Sequence, residues 1–159
     1  MRRSSLLMLA ALLASFTIAG TVLATHLPAK HNITTVLARG TLDGPVKFNV
    51  GDIKVQTKGA VEVVTADVMF EPLASAGWHV HPGPVFVVVE SGTLSVWDER
   101  CVKHQYSRGD SFFEEGLVRS LLVKNESAVT PAHVYATFIV PVGTTALRIG
   151  SEHLCGIEE

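Results

Sequence analysis

Gly77-Trp78-His79-Val80-His81-Pro82-Gly83-Pro84 is the segment on which the reading of this chain turns. Side chains two apart in a β-strand point to the same face, so His79 and His81 can bring their imidazoles to one ion. Pro82-Gly83-Pro84 then breaks the strand and turns the chain. Taken alone, a His-x-His pair is more often a surface feature. Here it ends a β-run and is followed at once by five residues, Val85 to Val89, with Gly92 beyond. Val85, Val87 and Val89 share one face of that run, and Phe86 and Val88 share the other. Both faces are apolar, which predicts a strand covered on both sides.

Outward from this segment the same texture continues. Short β-branched runs closed by turn residues span Phe48 to Val50, Ile53 to Gln56, Val61 to Phe70, Trp78 to His81 and Thr93 to Trp97. More follow at Ser111 to Phe113, Leu117 to Val123 and His133 to Val140. No helical period is sustained. Regular short strands with Gly and Pro punctuation predict an all-β sandwich or barrel. In the run from His133, the apolar set Val134, Ala136, Phe138 and Val140 is expected to face the core, leaving His133 outside. With 159 residues, 47% of them hydrophobic, the chain is one domain's worth and too apolar to be a disordered tail. Its formal net charge of -2 offers no basic footprint for nucleic acid.

From about Val61 to Arg148 the chain resembles the cupins, small jelly-roll barrels of the double-stranded β-helix type. His79, His81 and Gly92 match their first motif, and Gly109-Asp110-Ser111-Phe112 through Asn125 follows the rhythm of their second with one extra residue. The resemblance implies a metal held by three histidines and a glutamate. Several positions depart from it. Leu73 stands where the leading glycine is expected, and Val85, seven before Gly92, where the metal-binding glutamate belongs. Counting from either end of the second motif gives Ser120 or Leu121 in place of its histidine.

The expected site is therefore partly degenerate. His79 and His81 are the metal ligands, weak or vestigial, in a pocket walled by Val85, Val87, Arg119 and Leu121. Two imidazoles suit a weakly bound divalent Zn, Fe, Cu, Ni or Mn, although tight sites take three or four protein ligands. Arg119 shares strand parity with Leu121 and would favour an anion, with an ordinary surface position as the alternative. Glu90, Glu114 and Glu115 read as solvated charges at strand ends. Trp78 reads as packing, and His26, His31, His104 and His153 have no spacing that recruits them.

Arg2 and Arg3 precede an uncharged stretch from Ser4 to Ala24, with Val22 and Ala24 at the small-residue positions of a signal-peptidase site. The expected organisation is a signal peptide over 1–24 cleaved after Ala24, an unstructured lead-in over 25–35, the cupin domain over 36–150 and a tail over 151–159. An uncleaved anchor is the alternative. Export, to the periplasm or beyond, favours a disulfide between Cys101 and Cys155 over a buried free-thiol pair, and cupins of the His-x-His-Pro-Gly-Pro branch look similar there. It also makes Asn32 and Asn125 candidate glycan acceptors.

Three functions stay open at this stage. One is a metal-dependent enzyme of the oxygenase type using His79 and His81, with catalytic residues unassigned. The second is a secreted module binding a small molecule, and the third a structural cupin. The expected partners are a small molecule and a homodimer mate, with no nucleic acid and no membrane after signal cleavage.

Overall fold

The computed structural model describes residues 32–157. The expected signal peptide with Ala24, residues 25–31, His26 and His31 lie outside them. The described strands, in chain order, are β1 (Ile33–Leu42), β2 (Lys47–Val50), β3 (Ile53–Gln56), β4 (Val61–Phe70), β5 (Ser75–Val80) and β6 (Val85–Ser91). After these come β7 (Thr93–Asp98), β8 (Lys103–Ser107), β9 (Ser111–Glu114), β10 (Leu121–Lys124), β11 (Ala132–Pro141) and β12 (Ile149–Gly150). One five-stranded sheet has the order β1-β4-β11-β6-β9 and a second the order β12-β5-β10-β7-β8. The pairings within both are antiparallel. β2 and β3 form a separate hairpin. The sheets enclose one apolar core, the arrangement of a jelly-roll barrel.

Period-two patterning explains which side chains fill it. Val64, Ala66, Val68 and Phe70 of β4 are buried, as are Val134, Ala136, Phe138 and Val140 of β11. β6 departs from expectation. Val85, Val87 and Val89 are buried, but Phe86 and Val88 are 54% and 48% exposed. Among the described residues the outer face of that sheet carries no second layer, so β6 is half-covered despite its continuous apolar run. Two boundaries are also corrected. Ile33–Thr35, assigned to the lead-in, already pair with β4, because their β-branched side chains suit an added edge strand. The expected run from Leu117 is a 3-10 turn over Gly116–Val118, and the strand begins only at Leu121.

The described C-terminal residues are held by packing and by a disulfide. Trp78, Trp97 and Leu122 form a second apolar cluster, against which Leu154, Cys155 and Ile157 pack. Cys155 is joined to Cys101 by a disulfide with Cα atoms 5.6 Å apart, within the span such a bond requires. Asn125, a candidate glycan acceptor, is instead 1% exposed. Its amide donates to the carbonyls of Phe70, Glu71 and Thr130, pinning two loops together. No described helix is long and apolar enough to cross a membrane.

Candidate metal centre

The histidines reach the barrel interior because β5 changes face partway along. Ala74 and Ala76 belong to the core cluster, yet Trp78 belongs to the outer one, while His79 lines the interior. Strict alternation from Ala76 would put Trp78 inside and His79 outside. Against β10, however, β5 carries one residue more between the pairs Leu122↔Trp78 and Lys124↔Ser75. The extra residue is a β-bulge at Gly77, whose φ of 69° lies in the left-handed region that glycine tolerates. The Gly77 bulge thus sends Trp78 out and turns His79 and His81 in.

Both imidazoles are then fixed through the same ring nitrogen. His79 Nδ1 lies 2.7 Å from the Gly77 carbonyl oxygen and His81 Nδ1 lies 2.5 Å from that of Leu147. A carbonyl only accepts, so in the neutral ring each Nδ1 carries the proton and each Nε2 keeps its lone pair. The rings meet edge to face with centroids 4.8 Å apart. Burial holds the His79 pKa below its ordinary value. Glu114 opposes that shift, while His81 and, more weakly, Arg148 add to it. His79 is therefore a neutral donor at neutral pH.

The third group is Glu114, and here expectation is overturned. It is 5% exposed, not a solvated turn charge. Its Oε2 lies 2.5 Å from His81 Nε2, yet makes no hydrogen bond of acceptable geometry. A buried carboxylate oxygen without a hydrogen bond is costly. Potential ligand atoms of His79, His81 and Glu114 all lie within 4.8 Å of one another. An imidazole–imidazole–carboxylate set of this kind suits a divalent cation, which would neutralise the carboxylate and use both lone pairs.

Two close backbone approaches put Glu114 there. Gly116 and Gly83 stack their backbones, and a Cβ on Gly116 would come within 2.8 Å of the Gly83 carbonyl carbon. A Cβ on Gly83 would lie 2.0 Å from the Ile139 oxygen. Each glycine follows a ligand by two residues, so the contact between turns draws Glu114 to His81. On the ladder, Glu114 is the register partner of Val85. Strand parity held a signal for this, since Phe112 and Glu114 share a face of β9 and Phe112 lines the interior.

The three groups border a cavity of about 190 Å³. Its walls include Val68, Phe70, Val85, Val87, Leu94, Val123, Val134, Ala136 and Phe138, with Asn32, Thr34, Leu147 and Arg148 also contributing. Of the expected pocket residues, Val85 and Val87 line it. Leu121 pairs with His79 and is buried in the core, but does not border the cavity. Arg119 is corrected to the surface, where it faces Glu115 at 3.4 Å and Glu99 at 3.8 Å. The short turn ahead of β10 breaks the parity that linked it to Leu121. His133 lies on the outer face, half-buried between Asp67 and Glu90. His104 and His153 are exposed.

Residues 66–139 match the family model described as Cupin domain. No curated protein matches the sequence significantly. A cupin domain from Bordetella pertussis Tohama I is 23% identical, over 71% of this chain and 97% of its own, with a TM-score of 0.48. A double-stranded β-helix protein from Klebsiella pneumoniae is 16% identical over 74% of this chain and 84% of its own, with a TM-score of 0.47. An RmlC-like cupin from Shewanella frigidimarina is 18% identical over 51% and 68%, with a TM-score of 0.44. Two facing antiparallel sheets, an inward His-x-His pair and a family match across the strands that carry it place this chain in the cupin superfamily.

Proposed function

We propose that the protein is a metal-binding cupin that holds one divalent ion through His79 Nε2, His81 Nε2 and the Glu114 carboxylate, and takes a small molecule into the cavity beside it. The observation that carries this is the convergence of one buried Glu114 oxygen, 2.5 Å from His81 Nε2 but without a well-formed hydrogen bond, and ligand atoms of both histidines within 4.8 Å of one another. Three protein ligands are fewer than a closed structural site uses, so coordination positions stay open for water or a ligand. A bound ion would supply Lewis acidity and, if iron, redox chemistry. The protein's own groups orient the donors through the Gly77 and Leu147 carbonyls and keep the surroundings apolar.

The same donor set favours a second reading, a metal-dependent enzyme, because two histidines and one carboxylate with open positions recur in oxygen-activating and hydrolytic centres. Action outside the cytoplasm is part of the proposal and is supported by the Cys101–Cys155 bond.

Metal analysis of purified protein incubated with Zn, Fe(II), Mn or Ni tests the site. We expect about one equivalent of one of these ions, lost in a His79→Ala/His81→Ala double variant. Protein that takes up none of the four ions overturns the proposal.

A further inference from the structure

Arg148 is the one cationic side chain bordering the cavity among the described residues. Arg39, Arg100 and Arg119 each face a carboxylate. Arg148 has no such partner among the described residues. Its Nη1 donates instead to the carbonyl of Ala76, on the strand that carries His79. That bond uses one of five guanidinium N–H groups and anchors the fork beside the cavity.

We infer that Arg148 is the anchor for a ligand carboxylate, and that the cavity takes small monocarboxylates with a compact apolar body. This rests on the reading of the cavity as a ligand site, and three observations support the class. The first is charge. Glu114 is the one acidic side chain bordering the cavity among the described residues, so with a divalent ion and Arg148 in place the site carries net positive charge, which an anion offsets. The second is shape. A guanidinium matches the planar carboxylate with two parallel hydrogen bonds. Phosphate would call for more donors than the apolar walls supply. The third is size. At about 190 Å³ the cavity falls below the roughly 300–1,000 Å³ of sites for drug-sized ligands, and apolar side chains line most of it.

Calorimetric titration with benzoate, benzyl alcohol and inorganic phosphate tests the inference, on metal-free and on zinc-incubated protein. Benzoate is expected to bind at least tenfold more tightly than benzyl alcohol in both forms, and more tightly than phosphate. Arg148→Gln is expected to remove the preference for benzoate while changing zinc affinity less than twofold. Arg148→Lys, which keeps the cation but not the fork, is expected to retain a preference of at least threefold. Equal binding of acid and alcohol by the wild type, a preference that survives in Arg148→Gln, or tighter binding of phosphate overturns it. The two proposals fail separately: protein that binds no zinc but still prefers benzoate refutes the metal site and upholds the role of Arg148.

Discussion

Glu114 is the direct register partner of Val85 across the β6–β9 ladder. Val85 stands where the cupin pattern calls for a metal-binding glutamate. Paired residues on adjacent strands share a face and lie about 5 Å apart, so the carboxylate missing from one strand is delivered from its neighbour. The candidate carboxylate ligand sits one strand away from the position the pattern assigns it.

A swap across that rung follows. Glu114→Gln is expected to lower zinc affinity at least about tenfold, or roughly 1.4 kcal/mol. It should leave the metal-free protein as stable as before or more so, because a neutral amide can donate to His81 Nε2, where the buried Glu114 Oε2 makes no well-formed hydrogen bond. Adding Val85→Glu to Glu114→Gln is expected to recover much of the affinity. Zinc titration and thermal melts of the three proteins read both effects.

The Gly77 bulge predicts that Gly77→Ala injures the site more than the barrel. Placing an L-residue in the left-handed region costs roughly 1–2 kcal/mol, which should lower Tm by about 3–8 °C. The same strain turns the imidazoles away from Glu114, so zinc affinity should fall severalfold more than in a Gly109→Ala control. Gly109 also has a positive φ but lies in a turn remote from the ligands. Equal zinc affinity in the two variants would contradict the role assigned to the bulge.

The burial of His79 carries a pH dependence. Its folded-state pKa lies below the unfolded value of about 6.5, so below that pH the unfolded chain binds more protons than the native one. Stability contributed at this position is complete above about pH 6.5 and falls as pH drops through that value. Metal uptake should weaken in the same direction, since protonation removes the Nε2 lone pair. Denaturant melts of metal-free protein between pH 5 and 8 should show the loss, and His79→Asn should flatten it.

Opening the disulfide should release the tail. A Cys101→Ser/Cys155→Ser variant removes a link of sequence separation 54, worth up to about 4 kcal/mol on the chain-entropy model. Leu154 and Ile157 would then leave Trp78 and Trp97, so tryptophan emission should shift to longer wavelength while zinc binding persists. Unchanged emission would mean that the tail holds by packing alone.

How much of this was legible in the residues themselves follows from the range of each signal. Alternating burial is local, with a period of two, and it yielded the buried face of β11 and the outward His133, while the spacing of His79, His81 and Gly92 carried the family resemblance. The two cysteines, read with the expectation of export, indicated the bond that the structure contains. These properties depend on a residue and its near neighbours along the chain.

The metal centre depends on distant ones. Counting along the motifs finds Val85 and Leu121 in the ligand positions and ends with two histidines. Glu114 becomes a candidate only when β9 is laid against β6 and Gly116 against Gly83. A pairing register is set by the whole sheet, and a close backbone contact by the turns at its ends. The same holds for the cation at the cavity. Arg119 and Arg148 look alike in sequence, and only the closing of β12 onto β5 brings the second beside His79. Local periodicity decided which face each strand buries. Tertiary pairing decided which polar groups meet on that face, because a buried charge is tolerable only where the folded chain brings it a partner.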